Sequence, residues 1–140
     1  MILFLPSTCH ARIALSLSMA LLAVQAGAAT AAAAPASALN GNPVAGKAVF
    51  YRCASCHQVG PVARAGFGPK LTGVIGRKAG ATTDYRYSPA MKNANIVWTE
   101  QNLASFLKAP DDFIPGNKMR FWGLGNAQQV ADLLAYLRTQ

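Results

Sequence analysis

Cys53-Ala54-Ser55-Cys56-His57 is the stretch whose reading decides the rest of the chain. Two thiols three positions apart lie about one helical turn from each other, close enough to add across the two vinyl groups on one edge of a single porphyrin. The residue after the second thiol is an imidazole, aimed where a metal at the porphyrin centre would need a ligand. C-x-x-C-H is the attachment motif for haem c, and one covalent haem c is the cofactor expected here. Three other readings compete. A zinc site needs four ligands, and outside the first 38 residues the chain offers three Cys and His, all in this pentapeptide. A thioredoxin-like C-x-x-C belongs beside a βαβ pattern, which the flanking sequence lacks. A simple disulfide fits the spacing, but it leaves His57 unexplained and closes a ring that staples little chain.

Upstream, residues 1–38 are a different material from the rest. They hold one charged side chain, Arg12, and one of the twelve aromatics, Phe4. Arg12 supplies a positive n-region, Ile13–Val24 an apolar h-region, and the run to Ala38 several small-x-small triplets, the marks of a secretory signal cleaved somewhere in 28–38. A membrane anchor is the rival, but the stretch is mostly alanine and no basic stop-transfer cluster closes it. Cys9 precedes the apolar run and so does not mark a lipoprotein. The expected organisation is a leader over 1–38 and one domain over 39–140, with a periplasmic destination and no stable membrane anchor.

Loss of the leader removes Arg12 from 13 Lys and Arg, leaving 12 against 5 Asp and Glu, a net charge of +7. That balance favours acidic partners. The cations are scattered and no nucleic-acid motif accompanies them, so nucleic acid is not an expected partner. The ligand inventory also shrinks, to Cys53, Cys56, His57, Met91 and Met119.

Downstream and around the motif the periodicity is helical. Asn42-Pro43 opens a helix predicted to run to about Cys56, with Gly46, Phe50 and Cys53 on one face. Gln58 to Tyr87 is rich in glycine, holds two prolines and has no sustained period, which predicts a long wrapping loop. Ser88-Pro89 starts a short helix to about Asn95, and Thr99 caps another that runs to Ala109. A turn or helical fragment follows at Asp111–Gly116. Asn126-Ala127-Gln128-Gln129 resembles a capping box ahead of the stripe Val130, Leu133, Leu134, Leu137. No segment alternates as a strand. The fold class is all-α.

These motifs, in order, resemble the class I c-type cytochromes, in the branch of mitochondrial cytochrome c and its soluble bacterial relatives. The resemblance spans about 43–139. It rests on Gly46-x-x-x-Phe50-x-x-Cys53-x-x-Cys56-His57, Gly68-Pro69-x-Leu71-x-Gly73, Gly76-Arg77-x-x-Gly80, Tyr85-x-Tyr87-Ser88, Trp98, Pro115-Gly116-x-Lys118-Met119 and Asp132-Leu133-x-Ala135-Tyr136-Leu137. It implies about five short helices and long loops around one haem, with the first and last helices crossing where Gly46 and Phe50 meet Leu133 and Tyr136. It implies His57 as proximal iron ligand, its second ring nitrogen donating to the Pro69 carbonyl, and Met119 as distal ligand. Met91 is the rival thioether, with core packing as its simpler reading. Arg77, Tyr87, Ser88 and Trp98 resemble the set that hydrogen-bonds the haem propionates, although core packing accounts for the two rings and a surface charge for Arg77.

Three departures stand out. Phe106 replaces a tyrosine common in relatives, Met91 replaces a polar amide, and Asp111-Asp112 replaces a lysine pair near the docking edge. Two axial protein ligands leave no open coordination position, so the resemblance implies a monomeric one-electron carrier serving redox proteins, not an enzyme. Lys70, Lys118 and Arg120 are candidate docking cations. The alternatives are a cytochrome subunit of a larger dehydrogenase or oxidase complex, and a haem peroxidase or gas-binding protein with a labile distal methionine.

Overall fold

The computed structural model describes residues 40–140. The expected leader, with Arg12, Cys9 and the cleavage triplets, lies outside the described residues. Five helices follow one another: α1 Pro43–Phe50, α2 Pro89–Asn93, α3 Glu100–Lys108, α4 Pro110–Phe113 and α5 Ala127–Arg138. Among the described residues the only extended pairing is a single antiparallel bridge between Lys78 and Val97. The all-α expectation is met.

Helix starts follow their caps. Asn42 Oδ1 accepts the N–H groups of Val44 and Ala45 at 2.8 and 3.2 Å, and Pro43 at the first position has no N–H to satisfy. Ser88, Thr99 and Asn126 each accept the N–H three residues on. At Asn126 only half of the capping box forms. Gln129 supplies its N–H, while the neighbouring Gln128 amide turns to Asp132 and to the Asn40 carbonyl.

The first helix is shorter than its sequence pattern. α1 ends at Phe50, and the chain then coils on through Tyr51–Cys56 in tighter turns. Arg52, Cys53 and Cys56 donate three residues back, while Ala54 and His57 donate four back. Mixing the two patterns changes the rotation per residue. The cysteine pair therefore lies in this tighter coil, past the end of α1.

α1 and α5 cross at a glycine. A β-carbon at Gly46 would run into the Asp132 carbonyl and lie 2.8 Å from Tyr136 Cβ, so only a bare backbone admits this approach. Phe50 and Tyr136 stack beside it, ring centroids 5.5 Å apart. The core, with Leu133 its most buried member, joins Phe50 of α1, Leu103, Phe106 and Leu107 of α3 and Leu137 of α5, and Cys53 packs against it. Burial of that size is the main driving force of the fold.

Between α1 and α2 the long loop is stapled rather than free. Leu71 N–H donates to the Gln58 carbonyl at 2.8 Å and Thr72 Oγ1 to the Gly60 carbonyl at 2.9 Å. Trp98 N–H donates to the Arg77 carbonyl and Gly76 N–H to that of Trp98, at 2.8 and 2.9 Å.

Candidate functional site

The helices and the stapled loop enclose a cavity of about 440 Å³, within the range of cofactor sites. Cys53, Cys56 and His57 form one wall, and Met119 and Phe121 belong to the segment that follows α4. The floor is apolar, from Leu71, Val74, Leu103, Phe106, Leu133 and Leu137.

His57 is oriented by the loop. Its Nδ1 lies 2.7 Å from the Pro69 carbonyl oxygen, a contact that requires the proton on Nδ1 and leaves Nε2 as the unprotonated nitrogen. Burial lowers the imidazole pKa below its ordinary value, and the bond to the Pro69 carbonyl partly offsets that. The ring is thus a neutral base at pH 7. Gly68 makes room for it, since a β-carbon there would collide with the imidazole. The two thiols are unpaired. Burial raises the Cys53 pKa, with Arg52 opposing and Cys56 reinforcing the shift, so this thiol stays protonated at neutral pH.

Met119 is positioned by Asn117, a residue that carries no signal in the sequence pattern. Asn117 Oδ1 accepts the Met119 N–H at 2.7 Å, while its amide nitrogen donates to the Ile114 carbonyl and the Asp111 carboxylate at 3.0 and 2.9 Å. Lys118, in the same segment, also lines the cavity, its Nζ donating to the Arg86 carbonyl at 2.8 Å. Met91 also lines the cavity and is buried, so two thioethers share it.

Arg77, Tyr87, Ser88 and Trp98 converge on this cavity as well. Arg77 is not a free surface charge. Nη1 and Nη2 donate to the Thr72 and Lys70 carbonyls at 3.1 and 2.9 Å, and burial lowers its pKa. Tyr87 Oη pairs with Thr82 Oγ1 at 2.9 Å, and Ser88 Oγ caps α2. Trp98 is buried with its ring 5.1 Å from Phe106. The charged residues lining the cavity are Arg52, Arg77, Lys118 and Arg120, with no carboxylate among them.

This donor set fits the group inferred from the motif. Two thiols, a neutral imidazole and thioethers surround an apolar cavity whose charged fringe is wholly cationic, as a ligand bearing carboxylates requires. Zinc finds no support, since no cluster of three or more Cys, His, Asp or Glu exists among the described residues. Among the same residues no helix is long and apolar enough to cross a membrane.

Comparison with known proteins agrees with this geometry. Residues 43–140 match the family model described as cytochrome c. A cytochrome c2 of Rhodomicrobium vannielii is 48% identical over 100 residues, covering 71% of this chain and 80% of that protein. A cytochrome c2 of Agrobacterium tumefaciens is 47% identical over 100 residues, covering 69% and 90%. Among solved structures, cytochrome cH from Methylobacterium extorquens superposes with a TM-score of 0.68 at 37% identity, covering 71% of this chain and all of that one.

Proposed function

The chain belongs to the cytochrome c family, and from that premise we propose that it is an exported, periplasmic one-electron carrier moving between redox proteins. It carries one covalently attached haem c and is an electron-transfer protein rather than an enzyme. The haem supplies an iron centre that changes valence reversibly by one electron. The chain's own residues do the rest. Cys53 and Cys56 tether the group, and His57, with Nε2 freed by its bond to Pro69, serves as proximal ligand. Met119, held by Asn117, serves as the soft distal ligand that favours the reduced metal. Arg77, Tyr87, Ser88 and Trp98, which line the same cavity, would hold the propionates.

The observation that carries this reading is that one cavity is lined both by His57, oriented by its bond to Pro69, and by Met119, whose N–H is held by the Asn117 side chain. With His57 and Met119 both holding the iron, no coordination position would remain for a substrate. A closed site reorganises little on electron transfer. The leader at 1–38 supports export, and the cationic fringe supports partners with acidic docking faces.

Intact mass and a spectroscopic titration of the exported protein test the proposal together. The expected product lacks a leader ending within 28–38, carries the mass of one haem, titrates reversibly with one electron and binds carbon monoxide slowly. Bare chain, or rapid carbon monoxide binding by the reduced form, overturns it.

A further inference from the structure

Trp122 contributes nothing to the core. Its side chain is fully exposed, at 102%, although tryptophan carries one of the largest apolar surfaces of any residue. The backbone beneath it is braced on both sides. Before it, Met119, Arg120 and Phe121 line the cavity. After it, Gly123 adopts φ +101° with its α-carbon packed against the Lys108 carbonyl, and Leu124 N–H donates to the Leu107 carbonyl at 2.8 Å. The indole is therefore held into solvent by a fixed segment at the edge of the site.

Its surroundings are cationic. Lys118 and Arg120 are exposed in the same stretch, and every charged residue lining the neighbouring cavity is Arg or Lys. Lys70 and Lys118 are engaged, by Asp84 at 3.7 Å and by the Arg86 carbonyl. Arg120 makes no ion pair among the described residues.

We propose that Trp122 is the aromatic anchor through which this carrier docks on its redox partner, the indole entering an apolar recess of a protein whose rim presents carboxylates to Arg120. The inference rests on the carrier reading above and names the chemistry of the partner. Redox interfaces are small, so one buried tryptophan supplies a large share of the contact, and tryptophan is enriched among the residues that dominate interfaces. A lipid surface fits less well. It calls for a broad apolar helix face or a cluster of several cations, whereas Trp122 lies on a non-helical segment with two cations in the same stretch.

The test uses haem-loaded wild type, Trp122→Ala and Trp122→Phe. Each is reduced, then oxidised by respiratory membrane vesicles from the source organism, or by ferricyanide, at low and high ionic strength. Trp122→Ala is expected to slow oxidation by the membranes about tenfold, with the deficit surviving high salt. Trp122→Phe restores most of the rate, and all three proteins react equally with ferricyanide. Equal rates of wild type and Trp122→Ala with the membranes overturn the anchor. So does a matching loss with ferricyanide, which places the defect in the cavity. Selective loss of binding to phosphatidylglycerol vesicles, with the membrane rate intact, assigns the indole to lipid and overturns the proposal. A wild-type dimer that Trp122→Ala converts to monomer, again with the rate intact, assigns it to self-association and overturns the proposal equally. A wild type that reacts with ferricyanide but never with the membranes defeats the carrier reading itself, and the anchor with it.

Discussion

Asp132, buried in α5, accepts the backbone N–H of Asn42 at 2.8 Å, fastening the residue that caps α1 to the last helix. The same carboxylate oxygen takes a second bond from Gln128 Nε2 at 2.9 Å. Removing the acceptor leaves a partly buried N–H unpaired. Asp132→Ala is expected to cost about 1–3 kcal/mol, read as a lower urea midpoint at unchanged slope. Asp132→Asn keeps an acceptor oxygen and loses less.

At the crossing itself, Gly46→Ala places a methyl group against the Asp132 carbonyl, where backbone rather than a flexible side chain stands in the way. The expected loss is about 1–3 kcal/mol or more. Gly125→Ala, which meets nothing within 4 Å, is the control and stays within about 0.5 kcal/mol of wild type. Thermal unfolding of the haem-loaded proteins separates the two.

The two thioethers of the cavity have different assignments. Met119→Ala is expected to abolish the near-infrared band of a ferric iron–thioether bond and to open the reduced protein to carbon monoxide. Met91→Leu keeps the band, because Met91 acts as packing. The reverse pattern assigns the iron to Met91.

Phe106 is buried, lines the cavity and stacks on Trp98. Phe106→Tyr introduces a hydroxyl that must find an acceptor among apolar neighbours, and the Met119 sulfur, in the same cavity, is the acceptor expected. A donor on that sulfur draws electron density from the iron. The midpoint potential of Phe106→Tyr is expected to rise, as read by redox titration; an unchanged or lower value contradicts the placement.

Glu100 and Arg138 join α3 to α5 in a bidentate pair, at 2.7 and 2.8 Å. The hydrogen bonds from Arg138 hold the Glu100 carboxyl below its ordinary 4.5. A depressed carboxyl stabilises the fold in full above pH 4.5 and loses that contribution as pH falls through its folded value. Both side chains are largely exposed, so solvent screening limits the pair to below about 1 kcal/mol. Glu100→Gln is therefore expected to be slightly less stable than wild type at neutral pH and equal to it in strong acid, with the neutral-pH gap closing in high salt.

What the sequence made legible was whatever carries a local signal. Asn42, Ser88, Thr99 and Asn126 announced four helix starts because a cap acts within three residues of itself. The cysteine pair, His57 and Pro69 were legible as a motif, and the cavity gathers them. The end of α1 was not, since the apolar face runs on through Cys53 while the hydrogen bonds tighten after Phe50. Nor were the anchors of Arg77, whose acceptors are backbone carbonyls that any residue could provide. Asn117 and Trp122 carry no local signal, because sequence does not say which side chain will brace the backbone or which rings the fold leaves outside.

The contact between Asn42 and Asp132 joins positions 90 residues apart. The clasp has nothing to close on until α5 is in place, and contacts so distant in sequence form slowly. The start of the first helix is therefore fastened only when the last one arrives, and whatever frays α5 also unclasps α1.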